Sequence, residues 1–164
     1  MFVFGKDRWC DALVIIEDSR QKQDKNKHIK EQLEQLGHSV IRSKMLVGDY
    51  QIANKGDTVV DTKYGMGEIE NNLIHDHERF RNECILAQEA GIKLIVLIQD
   101  EKITQLGEVF SWYNIRKKWS KNAASGRTLG KIMYSMQEKY GVRFVFCKRS
   151  DIGHCIVELL EVSD

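Results

Sequence analysis

Three features are missing from the sequence: proline, closely spaced cysteines and a long apolar run. The longest apolar stretch, residues 93–99 (KLIVLIQ), is much shorter than the ~20 residues of a membrane-spanning helix, which excludes a transmembrane protein. The cysteines form no Cys-x-x-Cys pair, which argues against a zinc site or a disulfide framework and favours buried free thiols. These cysteines are Cys10, Cys84, Cys147 and Cys155. We attach no physical meaning to the absence of proline.

The N-terminus, MFVFGKDRWCD, also lacks the apolar run and small-residue cleavage site of a secretory signal. We therefore expect an intracellular, cytoplasmic protein with no membrane partner. Of the 164 residues, 42% are hydrophobic and 30% are charged, which excludes a disordered chain. This length suits a single domain, residues 1–164.

A strongly basic region lies behind the net charge of +1. Between Ser111 and Ser150 there are ten Lys or Arg residues and one acid, Glu138, so this region carries +9 and the rest of the chain −8. A local excess of this size can hold a polyanion even on a nearly neutral protein. A solvated basic helix face is the alternative interpretation.

The pattern of apolar residues predicts strands that alternate with helices. Residues 14–18 (VIIED) form a short β-branched run that is typical of a buried strand. The next segment predicts a helix with Asp24 as N-cap and Gly37 as its C-terminal stop. Residues 38–63 then alternate like two or three antiparallel strands, with residues 54–57 (NKGD) as a hairpin turn.

The second half of the chain continues this alternation. It predicts a long helix over residues 68–90, a buried strand over 93–99 and a helix from the Ser125 N-cap to Tyr140, followed by a strand and a final helix. Strands alternating with helices after an antiparallel meander indicate an α/β fold. We expect a three-layer α/β/α domain around a central mixed sheet.

The stretch VGDYQIANKGDTVVDTK, from residue 47 to residue 63, contains the main candidate site. Side chains alternate along a strand, so Asp61 and Lys63 should point to the same face. The preceding hairpin should fold Asp49 back toward them, and Asp18 ends the first strand, at the edge where α/β sheets usually bind ligands. A turn aspartate and a surface salt bridge are the simpler alternatives, because the Asp-x-Lys spacing also occurs by chance.

Such a grouping suits the hydrolysis of a phosphodiester bond. Asp49 and Asp61, with the backbone carbonyl of Thr62, would offer hard oxygen ligands to Mg²⁺ or Mn²⁺. The ion would lower the pKa of a bound water and neutralise developing charge. Lys63 would hold the attacking water or stabilise the phosphate anion.

A Gly-Asp-Tyr sequence followed by a strand, a turn and an acid-x-Lys resembles the XPF-type structure-specific endonucleases, a branch of the PD-(D/E)xK nuclease superfamily. The similarity covers about residues 13–100. Within it, VIIEDSRQ resembles the family's first strand with its Asp-x-Arg-Glu element, and HERFRNEC resembles the Arg-Phe segment of the following helix. The resemblance implies a restriction-endonuclease-like fold, branched or flap-like DNA as substrate, Mg²⁺ or Mn²⁺ as cofactor and a homodimer.

The resemblance also implies a set of catalytic residues. In this sequence they are Asp18, Arg20, Asp49, Asp61, Lys63 and Glu68. Asp61 replaces the family's longer glutamate, and Gln21 replaces the acid of its Asp-x-Arg-Glu element. The aspartate that the family places four residues after the lysine falls on Gly67, so we assign its role to Glu68.

DNA contacts are predicted for a second set of residues, Arg79, Arg116, Lys117, Lys118 and Arg127. Many relatives bind DNA through a helix-hairpin-helix repeat that does not follow here, so the basic segment from Arg116 to Arg149 should take over part of that task. The basic C-terminal part, residues 111–164, completes the fold. The stretch VFSWYNIRKKW interleaves Trp112, Tyr113 and Trp119 with cations, a mixture that can stack bases and contact phosphates. Aromatic residues of a core or a dimer interface are the more common explanation.

We therefore expect a metal-dependent DNA endonuclease acting on branched or flap-like DNA. A catalytically silent nuclease-fold subunit that binds DNA is the alternative from a different class. A junction resolvase or restriction-type nuclease would share the chemistry but not the substrate. Small stand-alone nucleases of this kind are frequent in bacteriophage genomes, so the resemblance is compatible with a phage origin and the host cytoplasm.

Overall fold

The computed structural model describes residues 11–162, so Cys10 lies outside the described part of the chain. The strands are β1 (Val14–Asp18), β2 (Ser39–Ser43), β3 (Tyr50–Ile52), β4 (Lys55–Lys63), β5 (Lys93–Gln99) and β6 (Arg143–Cys147). The α-helices are α1 (Lys27–Gln35), α2 (Met66–Glu70), α3 (His77–Glu89), α4 (Gly126–Tyr140) and α5 (Ile152–Glu161). A π-helical turn spans Asn71–His75, and 3₁₀ turns span Leu106–Ser111, Ile115–Lys118 and Arg149–Asp151.

The strands form one mixed sheet in the order β2-β1-β3-β4-β5-β6. β3 is antiparallel to both of its neighbours, whereas the pairs β1–β2, β4–β5 and β5–β6 are parallel. The expected three-layer α/β/α fold with a mixed sheet is therefore confirmed. The carboxyl ends of β1, β4, β5 and β6 meet at one edge, and β3 begins there.

Two apolar cores cover the two faces of the sheet. On one, named here the α3–α4 face, Val59, Val96 and Ile98 pack with side chains of α2, α3 and α4. On the other, Val60 and Leu97 pack with side chains of α1 and α5. This alternation follows from the period of two along β4 and β5, and each fully buried aliphatic side chain contributes about 1.5–3 kcal/mol.

Some sequence-based details were wrong. β2 runs parallel to β1 rather than within an antiparallel meander, because α1 carries the chain back between the two strands. Residues 22–26 form a turn, so α1 begins at Lys27 and Asn26, rather than Asp24, occupies its N-cap position. The hairpin between β3 and β4 turns at residues 53–54, where Asn54 has a positive φ of 63°.

The predicted long helix over residues 68–90 is interrupted. α2 ends at Glu70, the π-helical turn follows, and α3 begins at His77. Other predictions are confirmed: the Ser125 hydroxyl accepts a hydrogen bond from the Thr128 amide at the start of α4, and Gly141 ends that helix with φ 68°. The described cysteines, Cys84, Cys147 and Cys155, are buried free thiols. Within residues 11–162, none of the helices has the length and apolar character needed to cross a membrane.

Candidate active site at the carboxyl edge of the sheet

A cavity of about 400 Å³ opens at the carboxyl edge of the sheet, beneath α3. Its charged and amide side chains are Asp18, Arg20, Gln21, Asp49, Asp61, Lys63, Arg79 and Glu83. Five of the six predicted catalytic residues line it, and these acids and bases come from three separate segments of the chain. Long-range folding therefore brings β1, β4 and the turn before β3 together at one point.

Asp61 and Lys63 form the centre of this cavity. Both point toward the α3–α4 face, as does Val59, because residues two apart share a face of β4. The Lys63 Nζ lies 2.6 Å from the Asp61 Oδ2, in an ion pair whose side chains are only 15% and 5% exposed. Burial by itself lowers the pKa of Lys63, but the neighbouring Asp61 and Asp49 carboxylates raise it above its ordinary value. The amine therefore stays charged at neutral pH.

Asp49 is fixed by donors from two directions. Its Oδ2 accepts hydrogen bonds from the Thr62 amide at 2.8 Å and the Thr62 hydroxyl at 2.7 Å, and its Oδ1 accepts one from the Gln21 side chain. Its backbone amide donates to Val60 at 2.9 Å. Burial and the negative charge of Asp61 raise the pKa of the Asp49 carboxyl to about 7. Two carboxylates are thus held in a small space where their mutual repulsion is not fully compensated.

Gly48 is required by this arrangement. Its φ of 68° is unfavourable for residues with a Cβ, and a Cβ placed there would overlap the Val59 side chain. The Gly-Asp pair of the GDY sequence therefore has a structural explanation: the glycine allows the tight approach to β4 that delivers Asp49.

Asp18 lines the cavity, but its carboxylate is engaged by other groups. Its Oδ2 pairs with the Arg20 Nε at 2.8 Å, and its Oδ1 accepts from the Met45 amide at 3.2 Å. Arg20 in turn donates to the Met45 carbonyl at 2.9 Å. These contacts support a role for Asp18 in positioning Arg20 at the wall of the cavity.

Glu83 is a site residue that the sequence analysis missed. It lies one turn after Arg79 on α3, and both side chains line the cavity. Burial and the negative charge of Asp61 raise the pKa of Glu83. The HERFRNEC segment was already linked to the site through Arg79, and helical spacing from Arg79 was the available signal.

Glu68 does not line the cavity. α2 begins at Met66, so the Glu68 carboxylate turns back to accept a hydrogen bond from the Tyr64 amide at 2.8 Å. It also pairs with Lys25 at 2.7 Å. Burial alone would raise the pKa of Glu68, but the contacts with Lys25 and Tyr64 and the nearby charge of Lys63 lower it. Glu68 is thus held at the start of α2 beside the site, and its catalytic role stays a prediction.

The predicted DNA-binding residues fall into two places. Arg79 lies at the cavity, whereas Arg116, Lys117 and Lys118 lie on the 3₁₀ turn Ile115–Lys118 and Arg127 lies in the first turn of α4. All five side chains belong to exposed residues. Arg116 additionally pairs with the buried Glu70 at 3.1 Å.

The aromatic residues near these cations separate into two kinds. Trp112 packs against the core of the α3–α4 face, as expected for a core aromatic. Tyr113 and Trp119 are 64% and 70% exposed, so they are not core aromatics, and their place in a dimer interface stays a prediction. Sequence composition could not distinguish the two kinds, because each lies in the same mixture of aromatic and basic residues.

The donor set fits a hard divalent cation. Among the described residues, no group of three or more His, Cys, Asp or Glu side chains is arranged to hold a metal. Mg²⁺, however, is commonly held by one or two carboxylates, with waters and substrate phosphates completing its octahedron. Asp49 and Asp61 provide such a pair, and burial together with the charge of Asp61 raises the pKa of Asp49 despite the nearby Lys63, an effect that a bound cation would offset.

No protein-family model matches the chain, and neither does any curated protein sequence. Similar solved structures do exist. XPF from Aeropyrum pernix superposes with a TM-score of 0.63 at 18% identity, covering 90% of this chain and 59% of that one. XPF from Aeropyrum pernix in complex with DNA superposes with a TM-score of 0.64 at 18% identity, covering 93% and 68%.

The chain therefore spans 59% of the length of the first of these structures. The expectation of an XPF-type fold is confirmed, since the mixed sheet with helices on both faces is shared over nearly the whole chain. At this level of identity, the likeness shows that this chain has the fold of an XPF nuclease domain.

Proposed function

We propose that this protein is a divalent-metal-dependent DNA endonuclease that cuts branched or flap-like DNA. The observation that carries the proposal is the convergence of Asp49, Asp61 and Lys63 in one cavity at the carboxyl edge of the sheet. The fold shared with XPF supports it, as does the DNA bound in one of those structures.

Each side chain has a distinct part in this proposal. Asp49 and Asp61, with the Thr62 carbonyl, would hold Mg²⁺ or Mn²⁺. When bound there, the ion would lower the pKa of a water and offset charge on the phosphate. Lys63, charged and nearly buried, orients the attacking water or stabilises the phosphate oxygens. Arg20 and Arg79, at the rim of the cavity, bind the phosphates on either side of the scissile bond.

The test is cleavage of end-labelled linear, flap and four-way-junction DNA with Mg²⁺, Mn²⁺ or EDTA. We expect metal-dependent cutting that Asp61→Asn slows by about 100-fold or more, with DNA affinity and fold retained. Asp57→Asn is the matched control, because Asp57 is an exposed aspartate on the same strand. If Asp61→Asn cuts as fast as the wild type, the site is wrongly assigned.

The ranking of substrates separates the related nuclease activities. Preference for the flap supports XPF-like cutting, preference for the four-way junction supports a resolvase, and preference for linear duplex supports a restriction-type enzyme. Light scattering on the same protein preparations, which measures the molar mass in solution, tests the expected homodimer.

A catalytically silent DNA-binding subunit is the second candidate. Two observations favour it. The Asp18 carboxylate is already bound to Arg20 and to the Met45 amide, and among residues 11–162 only two acidic side chains, rather than three, are placed to bind a metal. DNA binding without cutting under any metal condition would establish it in place of the endonuclease.

A further inference from the structure

The segment from Trp112 to Lys121, named here the basic aromatic segment, presents two large rings to solvent. Tyr113 is 64% exposed and Trp119 is 70% exposed. Solvent-exposed rings of this size lose the stabilisation that burial would give them. Neither the cavity nor the two cores use these side chains, so their exposure calls for an explanation.

The backbone that carries the two rings is firmly held. The Asn114 side chain is buried, donates to the Ala124 carbonyl at 2.8 Å and accepts from the Arg116 amide at 3.1 Å. Glu70 is fully buried, accepts from the Ala124 amide at 2.7 Å and pairs with Arg116 at 3.1 Å. Tyr113 and Trp119 thus lie on either side of an anchored turn. Because the backbone is already fixed, binding a ligand there would cost little conformational entropy.

The charged residues of this stretch of the chain are all positive, and the buried Glu70 pairs with one of them, Arg116. The sequence contains no acid between Glu108 and Glu138. Lys117, Lys118 and Lys121 are exposed, and within the described residues none of them pairs with an acid. Exposed aromatic rings among unpaired cations are complementary to a strand whose bases are free to stack and whose phosphates are negative.

This surface is anchored to the helix that follows the candidate active site in the chain. Glu70, which anchors it, ends α2, and α2 starts three residues after Lys63. Three extended residues and a five-residue helix place the Cα atoms of Lys63 and Glu70 within about 17 Å of each other. The distance from Lys63 to this anchor therefore corresponds to at most about five nucleotides along one strand of B-form DNA.

We propose that Tyr113 and Trp119 stack on unpaired nucleotides of the DNA substrate, while Lys117, Lys118 and Lys121 contact the phosphates of the same strand. The proposal rests on the proposed function and adds the feature of the substrate that this surface recognises: a single-stranded arm next to the duplex that enters the cavity. Duplex DNA, whose bases are already stacked, gains nothing from the rings.

The test measures affinity by fluorescence anisotropy in EDTA, with the Asp61→Asn protein as background. Three probes are compared: a single-stranded oligonucleotide, a blunt duplex and the same duplex carrying a single-stranded flap. We expect Trp119→Ala to weaken binding of the single strand and the flap about tenfold and to change blunt-duplex affinity less than twofold. Trp119→Phe should retain most of the affinity, because a phenyl ring still stacks.

Ile41→Ala is the matched control, since Ile41 is an exposed apolar residue on the edge strand β2. An equal loss on all three probes, or no loss on any, overturns the proposal. A change from dimer to monomer in Trp119→Ala, with all probes affected alike, also overturns it and assigns the face to a contact between two copies of the chain.

The outcome for the rings is separable from the outcome for the nuclease. Cleavage by the wild type with unaltered flap preference in Trp119→Ala would reject the stacking surface and leave the endonuclease standing. Selective loss of single-strand binding in Trp119→Ala, without cutting by the wild type, would reject the endonuclease and leave the stacking surface standing.

Discussion

The Glu83 carboxylate on α3 accepts a hydrogen bond from the backbone amide of Gly48 at 2.9 Å. This contact joins the helix above the cavity to the turn that delivers Asp49. Glu83 also lies close enough to Asp61 for that carboxylate's charge to raise the pKa of Glu83. Glu83 thus has two separable properties, an acceptor oxygen for the turn and a negative charge beside the site.

We predict that the acceptor matters more than the charge. Glu83→Gln keeps an oxygen for the Gly48 amide, so its cleavage rate and stability should stay close to the wild type. Glu83→Ala leaves that amide without its partner, which should cost about 1–3 kcal/mol in the free energy of unfolding and slow cleavage as well. Urea unfolding and single-turnover cleavage check this. If Glu83→Gln is as slow as Glu83→Ala while stable, the charge itself serves the reaction.

Gly48→Ala should destabilise the fold strongly. The positive φ costs roughly 1–2 kcal/mol for a residue with a Cβ, and the overlap with Val59 adds about 1–3 kcal/mol. Gly67→Ala is the control, because Gly67 lies in α2, has no positive φ and has open space where a Cβ would go. That variant should be neutral or up to about 1 kcal/mol more stable. Equal effects of the two substitutions in urea unfolding would contradict the role given to Gly48.

The raised pKa of Asp49 predicts an unusual pH dependence of stability. A carboxyl with a pKa of 3.8 when unfolded and about 7 when folded binds more protons in the native state between these values. The contribution of Asp49 to the free energy of unfolding is therefore fully present below about pH 4. It is lost as the pH rises through about 7, at up to about 1.4 kcal/mol per pH unit. Metal-free protein should gain relative stability on acidification from pH 7.5 to 5.5.

Comparison with Asp49→Asn isolates this group from the other carboxyls. The difference in unfolding free energy between wild type and Asp49→Asn, measured in EDTA, should shift in favour of the wild type as the pH falls. Mg²⁺ at pH 7.5 should stabilise the wild type more than Asp49→Asn, since it binds the ionised pair. A difference that is constant from pH 5.5 to 7.5 would show that Asp49 is ionised throughout.

Local patterns predicted the parts of the site that depend on one strand. Asp61 and Lys63 share a face because β-strand side chains alternate, and a hairpin was enough to bring Asp49 near them. Glu83 was missed because its place depends on how α3 packs on the sheet; the local signal, its helical spacing from Arg79, shows only that the two residues share a face of the helix. Glu68 is near Lys63 in sequence, but its carboxylate binds the Tyr64 amide at the start of α2 and does not line the cavity.

Local sequence patterns also could not predict whether β2 runs parallel or antiparallel to β1. The alternation in residues 39–43 identifies β2 as a strand but is the same for parallel and antiparallel pairing. The helix between β1 and β2 was the usable signal, because a crossover of that length returns the chain in the parallel sense. Likewise, the exposure of Trp119 depends on the anchoring of its segment through Asn114 and Glu70, and Glu70 lies far from this segment in the sequence.

Reversing the charges of Lys117 and Lys118 distinguishes a DNA contact from a solvated basic face. In Lys117→Glu/Lys118→Glu, we expect weaker DNA binding at low salt and a slope of log affinity against log salt that is smaller by about 2, because each lost phosphate contact removes about one released counterion. Lys27→Glu/Lys30→Glu changes the net charge equally on α1, on the opposite face of the sheet. Long-range repulsion alone would weaken binding similarly in both double variants, whereas direct contact lowers the slope only in the first. An unchanged slope in Lys117→Glu/Lys118→Glu would assign these lysines to the solvated face.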